Sequence, residues 1–207
     1  MICAIVLAAG RSRRMGVQKL LLRSGGKTVI AHIVDQLLQS AVERIFVVAG
    51  ADGARIAQAL SDRPVAIVPN PDPEADMLSS VRCGLRALPP QCAAVLVALG
   101  DQPSITAELV NEMLRSFAAC GKGILAPTHG GRRGHPLLIS TRYRDEILTG
   151  YDAIGLRGLL HAHPDDVFDL PASTPSVLSD VDTPADWRRE RASFDENPTS
   201  NQAPRGE

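Results

Sequence analysis

Residues 2–9 read ICAIVLAA, an unbroken apolar run that stops at Gly10. A strand with one wet face alternates apolar and polar residues. An unbroken run therefore predicts a strand covered on both faces, the environment of a parallel sheet. The signal returns in RIFVVAG (44–50), VAIVPN (65–70) and AAVLVALGD (93–101). Segments of helical spacing separate these runs. KTVIAHIVDQLLQ (27–39) sets Val29, Ile30, Ile33, Val34, Leu37 and Leu38 on one stripe, and ADGARIAQAL (51–60), MLSSVRCGLRAL (77–88) and AELVNEMLRSFAACG (107–121) behave alike. Strand and helix alternate to about residue 127, which predicts an α/β fold: a Rossmann-like, open, mostly parallel sheet flanked by helices.

The chain then changes character. GILAPTHGGRRGHPLLIS (123–140) predicts a hairpin, and RGLLHAHPDDVFDL (157–170) a helix end followed by a strand. SVLSDVDTPADWRRER (176–191) predicts a strand, an acidic turn and a last helix, in which Trp187 is a packing anchor. Residues 192–207 are polar and poor in apolar side chains, so a disordered tail is expected after one domain spanning 1–191.

Lys and Arg number 22 against 23 Asp and Glu, so bulk charge gives no reason to expect nucleic acid or an anionic membrane as partner. The N-terminal run lacks a basic leader, and no stretch nears the ~20 apolar residues of a membrane span. A cytoplasmic protein is expected. Four cysteines without metal-ligand spacing are expected to act as small hydrophobes.

Against that neutral background, Arg11, Arg13, Arg14 and Lys19 crowd around Gly10 and Gly16, just after the first strand. Ligands of open α/β sheets bind beyond the carboxyl ends of the strands, so this is the default binding loop. Glycines there expose backbone N–H groups as an anion nest, and the cations suit a polyphosphate. Neither GxxxxGK[ST] nor GxGxxG is present. Taken alone, the cluster is equally well a solvated basic turn. Asp101, in ALGDQP, ends the fourth strand at the same edge, and Asp180 and Asp182 follow in SDVDTPAD. Two such carboxylates beside a triphosphate are the hard oxygen ligands that Mg²⁺ requires, although Asp182 would serve equally as a helix cap.

LAAGRSRRMGVQKLLL resembles the LAAGxSxRMGxxK signature of nucleotidyltransferases that join an NTP to a phosphorylated acceptor. GDQP (100–103), GHP (134–136), GLRGLL (155–160) and DVDTPAD (180–186) are similar to the molybdenum cofactor cytidylyltransferase branch of the MobA-like NTP transferase family, within the nucleotide-diphospho-sugar transferase superfamily. The resemblance spans residues 2 to about 190. It implies that backbone amides of Leu7, Ala8, Ala9 and Gly10, with Gly16, hold the nucleotide, and that Ser80 lies near base and ribose. It implies Arg14 on the departing pyrophosphate, Lys19 at the α-phosphate, and Asp101 with Asp182 on Mg²⁺, Asp180 being the alternative second acid. His135 is the acceptor-side candidate, and Arg132, Arg133 and Arg157 are either acceptor contacts or ordinary surface and ion-pair residues.

The implied reaction transfers CMP from CTP to the terminal phosphate of a molybdopterin-type cofactor and serves a molybdenum hydroxylase. Ala9 stands where the GTP-using branch resembles LAGG, and a side chain there narrows the room beside the base. The alternatives are a guanylyltransferase of the same cofactor, a transferase for another phosphorylated acceptor, or a nucleotide-binding accessory protein. Relatives often carry glycine where this chain has Asp76, which sets a carboxylate beside the expected nucleotide pocket.

Overall fold

The computed structural model describes residues 1–10, 18–24, 26–72, 74, 76–181, 183 and 185–188. The first buried run forms β1 (Ile2–Ala8). After a single 3₁₀ turn at Lys19–Leu21 come the short strands β2 (Arg23–Ser24) and β3 (Lys27–Thr28), then α1 (Val29–Gln39). Next in order are β4 (Arg44–Ala49), α2 (Gly53–Ala59), β5 (Ala66–Pro69), α3 (Met77–Ala87), β6 (Ala94–Leu99) and α4 (Ala107–Cys120). The last part holds β7 (Ile124–His129), β8 (Arg132–Arg133), β9 (Leu137–Ser140), α5 (Arg144–Thr149), α6 (Leu156–Ala162) and β10 (Val167–Pro171).

The main sheet runs β10-β7-β9-β6-β1-β4-β5, with β8 paired to β7. β1 is parallel to both of its neighbours, β4 and β6. β9 is the insertion of opposite direction, antiparallel to β6 and β7. The Rossmann-like, mostly parallel arrangement expected from the buried runs is the one found. Its cause is visible in β1, where Cys3, Ala4, Ile5 and Val6 are all fully buried. Ala4, Val6 and Ala8 face a layer containing α1, α2 and α4, while Cys3 and Ile5 face α3, α5 and α6. No helix among the described residues is long and apolar enough to cross a membrane.

Two expected elements differ. Lys27 and Thr28 do not begin the helix; they pair with Arg23 and Ser24, and Thr28 accepts a hydrogen bond from the Ala31 amide as the N-cap of α1. The segment expected as a strand from residue 176 is a 3₁₀ turn at Pro175–Leu178. Pro175 opens it where a missing N–H costs nothing, and the Val177 carbonyl accepts from the His135 amide rather than from a sheet neighbour. Trp187 packs against the α1 layer as expected, and the 192–207 tail lies outside the described residues.

α3 lies close to β1 because Gly84 faces Ile5. A Cβ at Gly84 would stand 2.7 Å from two Ile5 side-chain carbons. Gly84→Ala is expected to destabilise the protein by about 1–3 kcal/mol, through overpacking in an interior without slack. Urea unfolding measures this, and Ile5→Val in the same chain should recover part of the loss.

Candidate active site

The site begins with a close approach between two strand ends. The Gly100 amide donates to the Leu7 carbonyl at 2.9 Å. A Cβ at position 100 would lie 2.6 Å from that oxygen, so glycine lets the end of β6 lie against the end of β1. Asp101 is thereby delivered beside the first loop. The Val181 amide donates to the Asp101 carbonyl at 2.9 Å and draws the 180–181 segment to the same edge.

These contacts frame a cleft of about 230 Å³. Its floor is Leu7, Ala9 and Gly10 at the end of β1, with Leu99 from β6. Lys19 and Leu20 close one side, and Asp76, Met77 and Ser80 at the start of α3 close another. Asp101 and Asp180 bring two carboxylates. Leu20 packs into the α1 layer and Leu78 into the α3 layer, so the cleft crosses the sheet edge from one layer to the other.

Lys19 is 9% exposed, and its Nζ donates to Asp101 Oδ2 at 2.6 Å. A buried ammonium requires such a partner, and the short charge-assisted bond fixes its position. Gln18, the residue before Lys19, is held at two points. Its Nε2 donates to Asp52 Oδ2 at 2.9 Å and to the Gly10 carbonyl at 3.3 Å. The chain leaving β1 and the chain returning to Lys19 are therefore tied to each other and to the start of α2.

The α3 side is rigid for a different reason. Asn70, 6% exposed, donates from Nδ2 to both Ser79 Oγ and Ser80 Oγ at 3.1 Å. Both hydroxyls in turn donate to the Asp76 carbonyl. Asp76 Oδ1 accepts from the Ser79 amide at 2.7 Å and caps α3. Asp76, a puzzling carboxylate in the sequence, thus has a local reason to be there.

His135 comes from the antiparallel insertion. Leu137 pairs with Val97, so the residues just before β9 reach the end of β6, near Asp101. Burial pushes the His135 imidazole below its ordinary pKa; the nearby Asp101 charge opposes this and the Arg157 charge adds to it. Arg157 itself is exposed on the first turn of α6. Arg133 is engaged elsewhere: its guanidinium grips Asp169 through Nε and Nη2 at 2.6 and 2.9 Å, fastening β8 to β10. Arg132 is exposed in the same short strand. His163 is held by Glu146 at 2.9 Å, away from His161, which is exposed.

Of the candidates read from the sequence, Leu7, Ala9, Gly10, Lys19, Ser80 and Asp101 line one cleft. Ala8 is 2% exposed and packs into the α1 layer beneath it. His135 is outside the lining but within electrostatic reach of Asp101. Arg14, Gly16 and Asp182, with Arg11 and Arg13, lie outside the described residues. Asp180 is in the lining. Sequence reasoning missed Asn70, Gln18 and Asp52, whose roles arise only from contacts between distant segments. Among the described residues no group of three His, Cys, Asp or Glu side chains could hold a metal ion.

Known proteins share this fold. The model of the MobA-like NTP transferase domain matches residues 4–167. The chain is 26% identical over 184 residues to the molybdenum cofactor cytidylyltransferase of Escherichia coli K12, covering 88% of this chain and 92% of that protein. It is 29% identical over 136 residues to a probable molybdenum cofactor guanylyltransferase of Pyrococcus horikoshii, covering 61% of this chain and 66% of that one. Among solved structures, a nucleotidyl transferase from Methanothermobacter superposes with a TM-score of 0.83 at 28% identity, covering 95% of this chain and 99% of that one. The family match spans most of the chain, and the cleft lies beyond the carboxyl ends of the strands, where open α/β sheets bind ligands; this chain belongs to the MobA-like NTP transferase family and is a nucleotidyltransferase.

Proposed function

We propose that the protein transfers CMP from CTP to the terminal phosphate of a molybdopterin-type cofactor and releases pyrophosphate. The observation that carries this reading is the buried Lys19 ammonium, held by Asp101 in a cleft at the ends of β1 and β6. A pure binding module needs no rigid cation paired to a carboxylate at that depth. An oxygen of the acceptor phosphate attacks the α-phosphorus, a new P–O bond forms, and the bond from the α-phosphorus to the bridging oxygen of pyrophosphate breaks. A phosphate monoester is already ionised near neutral pH, so no protein base is required. Catalysis then rests on positioning and on charge stabilisation.

Within that scheme Lys19 neutralises charge developing at the α-phosphate, and the Leu7–Gly10 backbone holds the nucleotide. Arg14 is assigned to the departing pyrophosphate and Gly16 to the nucleotide from the resemblance alone. The carboxylates of Asp101 and Asp180 suit Mg²⁺ by chemistry, being hard oxygen donors on one cleft wall. With no third protein ligand among the described residues, water and phosphate oxygens would complete the shell. Asp182 remains the second acid that the resemblance favours. Bound Mg²⁺ would supply charge neutralisation on the triphosphate. His135 and Arg157 meet the acceptor's phosphate, the first as a neutral hydrogen-bonding ring and the second as charge. A molybdenum hydroxylase would receive the product.

The relatives divide between cytidylyl and guanylyl transfer. Ala9 favours the former here. Ala9 lines the cleft, and a side chain at this position leaves less room beside a base than glycine would.

With Mg²⁺, molybdopterin and each NTP in turn, pyrophosphate should be released with CTP and not with GTP. Lys19→Ala should lower kcat by about 10²–10³-fold while CTP affinity changes little. Loss of affinity alone would remove Lys19 from the chemistry. Asp101→Asn should abolish the metal-dependent rate.

A second test concerns the acceptor side. In an NMR titration the His135 ring should protonate below its ordinary value of about 6.5. Asp101→Asn should lower the midpoint further and Arg157→Gln should raise it. A midpoint indifferent to both would separate His135 from the cleft.

A further inference from the structure

The start of α3 presents an unusual set of hydrogen-bonding groups to the cleft. Its side-chain donors are consumed internally. The two Nδ2 hydrogens of Asn70 go to Ser79 and Ser80, and both serine hydroxyls donate to the Asp76 carbonyl. The Ser79 amide goes to Asp76 Oδ1, and the Ser80 amide to the Asp76 carbonyl. What remains is one strong acceptor, Asp76 Oδ2, exposed on the cleft wall. Beside it on the cleft lining is Met77, whose backbone N–H has no acceptor inside the helix because it belongs to the first turn.

That set discriminates between nucleobases. Cytosine presents along one edge a 4-amino donor followed by the N3 and O2 acceptors. Uracil presents an oxygen in place of the amine and an N–H in place of N3. A carboxylate oxygen beside an amide donor complements the 4-amino and N3 groups of the first edge, and on the second it meets lone pair with lone pair and donor with donor. The orientation follows from charge. Lys19, the cation among the described lining residues, closes the side of the cleft whose next residue, Leu20, packs into the α1 layer, and a triphosphate is repelled by the Asp76 carboxylate. The base therefore falls at the α3 side, beside the Met77 side chain, which leaves 45% of its surface open as an apolar platform.

We propose that Asp76 is a specificity-determining residue, whose free Oδ2 accepts a hydrogen bond from the cytosine 4-amino group and selects CTP against UTP. The proposal rests on the cytidylyl-transfer reading and deepens it. It also gives a second use to a residue whose N-cap role alone would be met equally by serine or asparagine.

The test separates capping from base reading. CTP, UTP and GTP are titrated calorimetrically, with Mg²⁺, into the full chain and into Asp76→Ser and Asp76→Asn. Serine and asparagine both keep an N-cap acceptor, and unchanged thermal unfolding verifies this. The wild type should bind CTP at least about tenfold more tightly than UTP, the effect of one hydrogen bond to a charged group. Asp76→Ser lacks the second oxygen and should bring CTP down towards UTP. Asp76→Asn can turn an NH₂ donor into the cleft and should move the ratio further towards UTP. A CTP-to-UTP ratio equal in all three proteins overturns the role of Asp76 and leaves cytidylyl transfer standing. Failure to bind any NTP, or preference for GTP, overturns the cytidylyl-transfer reading itself.

Discussion

The ion pair of Lys19 and Asp101 joins segments 82 residues apart in the chain, and much of the site is arranged to permit it. Asp101 reaches the pair because Gly100 lies against the Leu7 carbonyl, at a distance that no Cβ would tolerate. Lys19 reaches it because Leu20 is anchored in the α1 layer and Gln18 is fastened to both Gly10 and Asp52. A buried ion pair is poor evidence for stability, since two apolar residues of like volume commonly do as well or better. Its retention at the mouth of a parallel sheet makes sense as chemistry. In the proposed reaction the cation is held where it would meet the reacting phosphate before any ligand arrives, so little reorganisation would remain to be done at that point.

The parallel core was legible because burial on both faces suppresses alternation, and ICAIVLAA carries that signature without ambiguity. Direction was not legible in the same way. LLIS in β9 reads like any buried strand, and its reversal between β6 and β7 is set by the length and turns of the preceding hairpin. The segment at 175–178 was misread as a strand because Val177 and Leu178 are apolar. Pro175 and a contact to the His135 amide, 42 residues earlier in sequence, decide its conformation instead.

At the site, Asp101 stood out because a charge beside a glycine at a strand end is directional, and Lys19 because it belongs to a basic cluster around Gly10 and Gly16 in a chain of almost no net charge. Asn70 and Ser79 did not, since each is an ordinary polar residue until its partners are placed around it, and Asp76 stood out only as a carboxylate beside the expected pocket, without its capping role. Spacing could not choose between Asp180 and Asp182 either. They are two residues apart in sequence, and what draws Asp180 to the cleft edge is a long-range contact, the bond from the Val181 amide to the Asp101 carbonyl.

The reversal at β9 also has a functional consequence. In an all-parallel sheet only the outgoing ends of strands reach the ligand edge, and each is followed by a crossover that carries the chain away. An antiparallel strand offers its incoming end to that edge. His135 arrives in this way beside the end of β6, with its amide fixed by the Val177 carbonyl of the 3₁₀ turn. In the proposed reaction the nucleotide half of the site is built from the exits of β1 and β6 and the start of α3, while the acceptor half, outside the cleft lining, is built from the entry into β9 and the first turn of α6. Asp101 touches both halves, through Lys19 on one side and through its field at His135 on the other. A carboxylate at that junction is where two phosphates approaching each other for an in-line displacement would most need their charges offset.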